Sequence, residues 1–257
     1  MIIDAHVHVG SWLHADFLGR ENDLAGTLAV FRSAGIDGAA LMPSDRHEHV
    51  PLREAMKRAV GSGFAGPLWL FPWIRPVAPG SPGTDDLNWV RANRKDVAGL
   101  KIHPSLSRVR VSHEPFRAAL ELAEELSLVV LVHCGRWTEI AGYAHALEAA
   151  ARHPGAKFLL GHAGGDTPPN AMGAARAVKE RGLTNVWFEF SGLREYWVVE
   201  RNIELCGADR YLMGSDFPLA HPLMYLGAVR GMSLSEEQVR KVTGENALAL
   251  FGPSIEA

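Results

Sequence analysis

Eight short runs rich in β-branched and other apolar residues recur along this chain, at residues 2–8, 38–42, 68–73, 97–103, 128–134, 157–162, 186–191 and 211–216. Between them lie stretches whose apolar residues are spaced by three and four, most clearly at 115–126, 140–152, 171–180 and 196–206. Strands that alternate with helices imply parallel pairing. Eight such units in 257 residues predict a closed (β/α)8 barrel, the TIM barrel, as one α/β domain over residues 1–257. An open doubly wound sheet is the alternative. The segment 76–86, rich in Pro, Gly and Ser, is expected to be a loop after the third strand, not a linker. Two further helices are expected at 235–242 and 244–251, the first capped by Ser235 with Glu236 and Glu237 in its first turn.

Bulk properties exclude several classes of function. The net charge is -3 and no block of Lys and Arg stands out, so there is no footprint for nucleic acid. No run of about 18 apolar residues exists to span a membrane, and the start Met1-Ile2-Ile3-Asp4 has neither the basic region nor the apolar core of a signal peptide. Cys134 and Cys206 form no disulfide framework, which places the chain in a reducing, cytoplasmic setting. A homo-oligomer is compatible with these properties.

In a parallel barrel, functional groups gather at the C-terminal ends of the strands. Of 12 histidines, five fall at such ends: His6, His8, His103, His133 and His162. Asp216 ends the eighth run in the same way. Strict alternation puts Asp4, His6 and His8 on one face, the two imidazoles about 6.6 Å apart along the strand, with Ile3, Ala5 and Val7 facing the helices. Two imidazoles so placed can lean onto one ion. A single histidine at a strand end is more often a hydrogen-bonded packing residue, and Asp216 alone could cap a helix. Four imidazoles and one carboxylate at strands one, five, six and eight are harder to explain as packing.

The motifs Asp4-Ala5-His6-Val7-His8, Gly99-Leu100-Lys101-Ile102-His103-Pro104, Val132-His133-Cys134-Gly135, Gly161-His162-Ala163-Gly164-Gly165 and Gly214-Ser215-Asp216-Phe217-Pro218 continue to Gly244-Glu245-Asn246 and Phe251-Gly252. In this set and order, the sequence resembles the amidohydrolase superfamily, specifically its amidohydrolase-related (amidohydrolase 2) group of metal-dependent hydrolases and non-oxidative decarboxylases. The resemblance implies that His6, His8, His133 and Asp216 hold one divalent metal ion, zinc before manganese, iron or cobalt. It implies that His162 is a catalytic base or electrostatic stabiliser, or binds a second ion, and that Asp216 passes a proton from activated water. Lys101 shares a face with His103. As a free amine it would bind an anionic substrate group or snorkel towards solvent; carboxylated, it would bridge a second metal. The free amine is the expectation here.

Lys101, His103, Arg136 and Trp137 are the weaker candidates for substrate contacts. Trp12, Trp73 and Arg194 also follow strand ends, and each fits ordinary loop packing equally well. His14, His47, His49, His113, His145, His153 and His221 carry no assignment, and Cys134 is taken as packing. The expected function is hydrolysis of an ester, lactone or amide of a small, anionic organic acid. Decarboxylation of an aromatic or unsaturated acid uses the same residues, and a barrel that binds metal without catalysis is the third reading.

Overall fold

A run such as Val129–Val132 is apolar on both faces, so it must be covered on both, as in a parallel sheet closed over a core. The computed structural model describes residues 1–14, 21–78 and 85–257. Each expected run carries a strand: Ile3–Ser11, Gly38–Pro43, Leu68–Leu70, Gly99–Ile102, Val129–Val132, Lys157–Leu160, Val186–Glu189 and Tyr211–Leu212, here the first to the eighth. Neighbours pair in parallel and in chain order. Isolated bridges at Leu70 with Val97 and Trp73 with Lys101 join the third strand to the fourth. The ring closes where Ala5 N–H donates to Met213 O at 2.9 Å and His8 N–H to Phe217 O at 2.7 Å. The sheet is therefore a barrel and not an open doubly wound sheet.

One helix packs behind each strand: Leu24–Ala34, His49–Gly61, Asp85–Ala92, Glu114–Glu125, Tyr143–Arg152, Pro168–Glu180, Tyr196–Cys206 and Pro222–Gly231. Two local expectations change. The helix expected over 140–152 is interrupted, because Gly142, a weak helix former, is extended at φ -67 and ψ 146 between Thr138–Ala141 and Tyr143–Arg152. Of the loop expected over 76–86, residues 79–84 lie outside the described residues, and Asp85 and Asp86 instead open a helix whose N-terminal dipole favours them. Ser235 caps Glu236–Arg240 as expected, with Gln238 returning the bond to form a capping box. Among the described residues, no helix is long and apolar enough to cross a membrane.

The first strand departs from strict alternation. Asp4 pairs with Ala39 but Val7 with Leu41, so the first strand holds one residue more than its partner between these points. That extra residue is a β-bulge, and it resets which side chains point inward. Ile3 and Ala5 join the barrel-interior cluster with Ala40, Met42, Val129, Leu131 and Leu159, while Val7 and Val9 join the outer cluster. The expectation that Ile3 and Ala5 face the helices, with Asp4 beside His6, is thus corrected. Asp4 instead lies with the outer layer, where its carboxylate accepts from Ser215 N–H at 2.9 Å and Ser215 Oγ–H at 2.6 Å. Val7 faces the helices as expected.

The lower end of the barrel is sealed by Asn246–Phe251, whose Phe251 ring meets Trp69 and Phe71 edge-on at 5.3 and 5.2 Å. Gly99 makes room for this packing, since a Cβ there would stand 2.2 Å from the Phe71 ring and 2.5 Å from Val129 O. Cys134 is free and belongs to the outer cluster, in keeping with a packing role. Gly99→Ala should destabilise the protein by about 1–3 kcal/mol through overpacking. Gly227→Ala, on a helix with open space around it, should instead stabilise it by about 0.5–1 kcal/mol. Urea unfolding of the two variants checks both signs.

Candidate active site

Five strand ends, the first, fourth, fifth, sixth and eighth, deliver imidazoles or a carboxylate to the upper mouth of the barrel. His6 Nδ1–H donates to Glu189 Oε1 at 2.9 Å and His8 Nδ1–H donates to Pro43 O at 3.0 Å. Both acceptors lack protons of their own, so in each neutral ring Nε2 carries a lone pair. The two Nε2 atoms stand 3.2 Å apart, and each is 3.4 Å from Asp216 Oδ1. Three lone-pair atoms thus converge within 4.8 Å. Asp216 reaches this position on left-handed backbone at φ 59, and His162 does the same at φ 57. Side chains rarely adopt this conformation, and it concentrates where function demands it.

A second chain of bonds fixes the other two rings. His162 Nδ1–H donates to Ser191 O at 2.8 Å, which leaves His162 Nε2 to accept from His133 Nδ1–H at 2.9 Å. His133 Nε2 is then a buried lone pair with no partner. His133 is absent from the tight group of His6, His8 and Asp216; its bond to His162 turns it along the neighbouring side of the mouth. Both nitrogens of His162 are engaged. Lys101 is fully buried, and its Nζ–H donates to His6 Nε2 at 2.8 Å.

Glu189 is the residue that the sequence reading missed. Besides His6 it accepts from His162 N–H at 2.9 Å, Ser191 N–H at 2.8 Å and Ser191 Oγ–H at 3.1 Å. Burial works to raise its carboxyl, but the charge and hydrogen bonding of its neighbours, His6 first, outweigh that and hold it at about 2. Gly214 permits the approach, since a Cβ there would lie 2.4 Å from Glu189 Oε2 and 3.1 Å from His6 Cβ. The available signal was a glutamate in register with Trp187 within an otherwise apolar strand.

Burial sets the protonation of the remaining groups. It pushes His6 down to about 4 and also lowers His8. It holds His103 and His133 well below their ordinary range, with neighbouring cationic and imidazole groups adding to the effect. Burial lowers Lys101 to about 8 and raises Asp4 to about 7. For Asp216, burial favours the acid, yet His6 and His8 prevail and keep the carboxyl below the usual carboxylate range.

A cavity of about 200 Å³ opens above these groups, lined among others by Trp12, Lys101, His103, Arg136, Trp137 and Asp216. His133, His162 and the unassigned His14 line it too. On one wall His103 lies parallel to His133 at 3.9 Å, and Trp73, which does not line the cavity, lies parallel to His103 at 5.2 Å. At the rim the Arg108 guanidinium lies 4.0 Å over the Trp137 ring. Arg194 is exposed and is not among the residues lining this cavity. Ser105, Asp166, Ser191 and Gly192 belong to the site or its lining and were not foreseen.

The donor set fits a divalent cation: His6 and His8, with their protons turned onto a carboxylate and a carbonyl, aim lone pairs at one point beside the Asp216 carboxylate, and such an ion would displace the Lys101 Nζ–H that now meets His6 Nε2. The amidohydrolase family model matches residues 3–252. This chain belongs to the amidohydrolase family, a family of enzymes. The fold is shared with solved structures of low identity. A 5-carboxyvanillate decarboxylase from Sphingomonas paucimobilis is 16% identical with a TM-score of 0.74, covering 98% of this chain and 99% of that one. A candidate 2-pyrone-4,6-dicarboxylic acid hydrolase from Pseudomonas putida is 18% identical with a TM-score of 0.75, covering 99% and 98%. An amidohydrolase from Burkholderia multivorans with bound zinc is 17% identical with a TM-score of 0.74, covering 98% and 99%. No curated protein matches the sequence.

Glu189→Gln keeps the shape of the side chain but removes the charge that orients His6. It should weaken the affinity of the site for a divalent ion by about 10–100-fold. Competition with a chromophoric chelator measures this, and circular dichroism should show an intact fold.

Proposed function

We propose that this amidohydrolase is a metal-dependent hydrolase of an ester, lactone or amide bond in a small, anionic organic acid. The observation that carries the reading is the convergence of His6 Nε2, His8 Nε2 and Asp216 Oδ1 at the floor of a cavity sized for one small molecule. In this reading His6, His8 and Asp216 hold one divalent ion, zinc first among the candidates, and the unpartnered His133 Nε2 completes the set. A divalent ion held there would act as a Lewis acid towards a substrate oxygen and would acidify water.

The protein groups supply the rest. The Asp216 carboxylate, whose side chain is 16% exposed, is positioned to take a proton from water and return it to the leaving oxygen or nitrogen. His162 has both nitrogens engaged, so it contributes chiefly by holding the His133 tautomer and, through that ring, the charge distribution at the mouth. Lys101, as a free amine, adds a positive charge that favours an anionic substrate. With a free amine and no bridging carboxylate, one metal per chain is the expected stoichiometry.

Decarboxylation is the second reading. It is favoured by the aromatic rings that line the cavity, Trp12, Trp137, His103 and His133, and by the likeness to a 5-carboxyvanillate decarboxylase. Turnover of the zinc-loaded protein with a panel of aryl esters, six-membered lactones, anilides and hydroxybenzoates separates the two. Ring-opened or cleaved acid as product supports hydrolysis; release of carbon dioxide without water uptake overturns it in favour of decarboxylation.

Protein expressed with added zinc should carry one ion per chain by elemental analysis, and a metal-free preparation under those conditions would overturn the assignment. His162→Ala should lower turnover on the order of 10²–10³-fold and also loosen the metal. His162→Gln can still accept from His133 Nδ1–H and should restore much of both, which a role as proton carrier would not allow.

A further inference from the structure

Asp216 stands on left-handed backbone, a conformation that a residue other than glycine keeps only where its surroundings hold it there. Its amide donates to His6 O at 2.8 Å, and its carbonyl accepts from Leu219 N–H at 2.9 Å. The next layer of bonds around this turn is built by Ser215. The Ser215 hydroxyl accepts from Phe217 N–H at 3.1 Å, which closes a serine turn across Asp216, and it donates to Asp4 Oδ2 at 2.6 Å. Ser215 N–H donates to Asp4 Oδ1 at 2.9 Å, and the same oxygen accepts from His6 N–H at 3.2 Å. Asp4 and Ser215 are fully buried, and neither lines the cavity. Burying a carboxylate is costly. Backbone bonds from Ala5 to Met213 and from His8 to Phe217 already close this seam, so joining the two strands does not by itself account for an acid here.

We propose that Asp4 is a positioning residue for Asp216: acting through the Ser215 hydroxyl, it fixes the turn that sets the Asp216 carboxylate 3.4 Å from both His6 Nε2 and His8 Nε2. Asp4 itself touches neither substrate nor ion. The inference rests on the proposed function for the role of Asp216 towards a divalent ion, not for the reaction. The chemistry of the pair explains why an acid is needed. Two of the donors to Asp4 are backbone amides, and the third is a hydroxyl whose lone pair already serves Phe217 N–H. A carboxylate accepts all three. An asparagine of the same shape could take both amides on one oxygen, but its Nδ2 hydrogens would face the hydroxyl, and the Ser215 proton would lose its acceptor. The hydroxyl would then turn, and the bond that closes the turn over Asp216 would turn with it. The His6 amide on Oδ1 adds a second tie, so one carboxylate fixes the first strand and the Asp216 turn relative to each other.

Asp4→Asn and Ser215→Ala test the proposal; the second keeps the backbone bond to Asp4 and remains informative if the first does not fold. Each should weaken zinc binding about 10–100-fold, as loss of the outer partner of a ligand does, measured by competition with a chromophoric chelator. The visible spectrum of the cobalt(II)-loaded protein, which reports the arrangement of the ligands, should change in both variants. A residue that only holds the fold would leave that spectrum as it is. Because the two lesions break one path, the double variant should bind zinc no more than about twofold worse than the weaker single variant. In an Asp216→Ala background neither substitution should cost more than about a further twofold. In the crystal structure of metal-free Ser215→Ala, Asp216 Oδ1 should have left its place beside His6 and His8. Unchanged affinity and spectrum overturn the proposal. So do additive losses in the double variant, and so does a loss that persists in the Asp216→Ala background, which would assign the effect to His6. If the parent binds no divalent ion, it is the metal-centre reading that fails; the metal-free crystal structure still decides this inference, and Asp216 in its parental place overturns it.

Discussion

The bond between Glu189 and His6 Nδ1, buried on both sides, is the constraint on which the rest of the site depends. It joins two strands whose residues are 183 positions apart in the chain and decides where the His6 proton resides. With that proton turned outward, Nε2 faces inward, and the lone pairs of His8 and Asp216 gather around it. The same carboxylate accepts from the His162 backbone, so one buried charge orients both halves of the mouth. A carboxylate that only accepts, fed by four donors, is stable in a dry interior because no lone pair is wasted on an unmatched neighbour.

The bulge in the first strand separates two regimes of packing. Below it, Ile3 and Ala5 fill an apolar interior; above it, His6 and His8 face the mouth. Without the extra residue, the alternation that points His6 inward would carry Asp4 inward too, into the apolar floor. The bulge instead turns Asp4 to the outer layer, where Ser215 of the neighbouring segment provides two donors. The carboxylate thereby fastens the first strand to the eighth, at the seam where the barrel closes.

Much of this was legible in the sequence, for physical reasons that differ by element. The eight runs and the inward register of Lys101 follow from apolar periodicity, because a strand covered on both faces has few alternative arrangements. Cys134 was correctly placed on the opposite face from His133 by the same rule. The rule fails at Ile3, Asp4 and Ala5, since a bulge leaves no mark in composition and exists only through its partner strand. Glu189 was missed because its meaning is entirely non-local: only folding brings it beneath His6. The helix over 140–152 was drawn too long because periodicity of the apolar residues continues across Gly142 while the backbone does not. The resemblance brings His133 into one set with His6, His8 and Asp216; in the fold its Nδ1 meets His162 and its Nε2 is buried without a partner.

The final helix, Asn246–Phe251, packs its Ala247, Leu250 and Phe251 into the same interior cluster as Ile3 and Ala5. The earliest strand therefore waits for the latest elements before its surroundings exist. His6 and His8 are synthesised before Glu189, Asp216 and the floor beneath them, which follow by about 180 residues or more. Every fragment that stops before the eighth strand lacks Asp216 at the mouth and Ser215 as a partner for Asp4. In the order of synthesis, then, the convergence of His6, His8 and Asp216 is a property of the finished ring and not of any part of it that ends before the eighth strand.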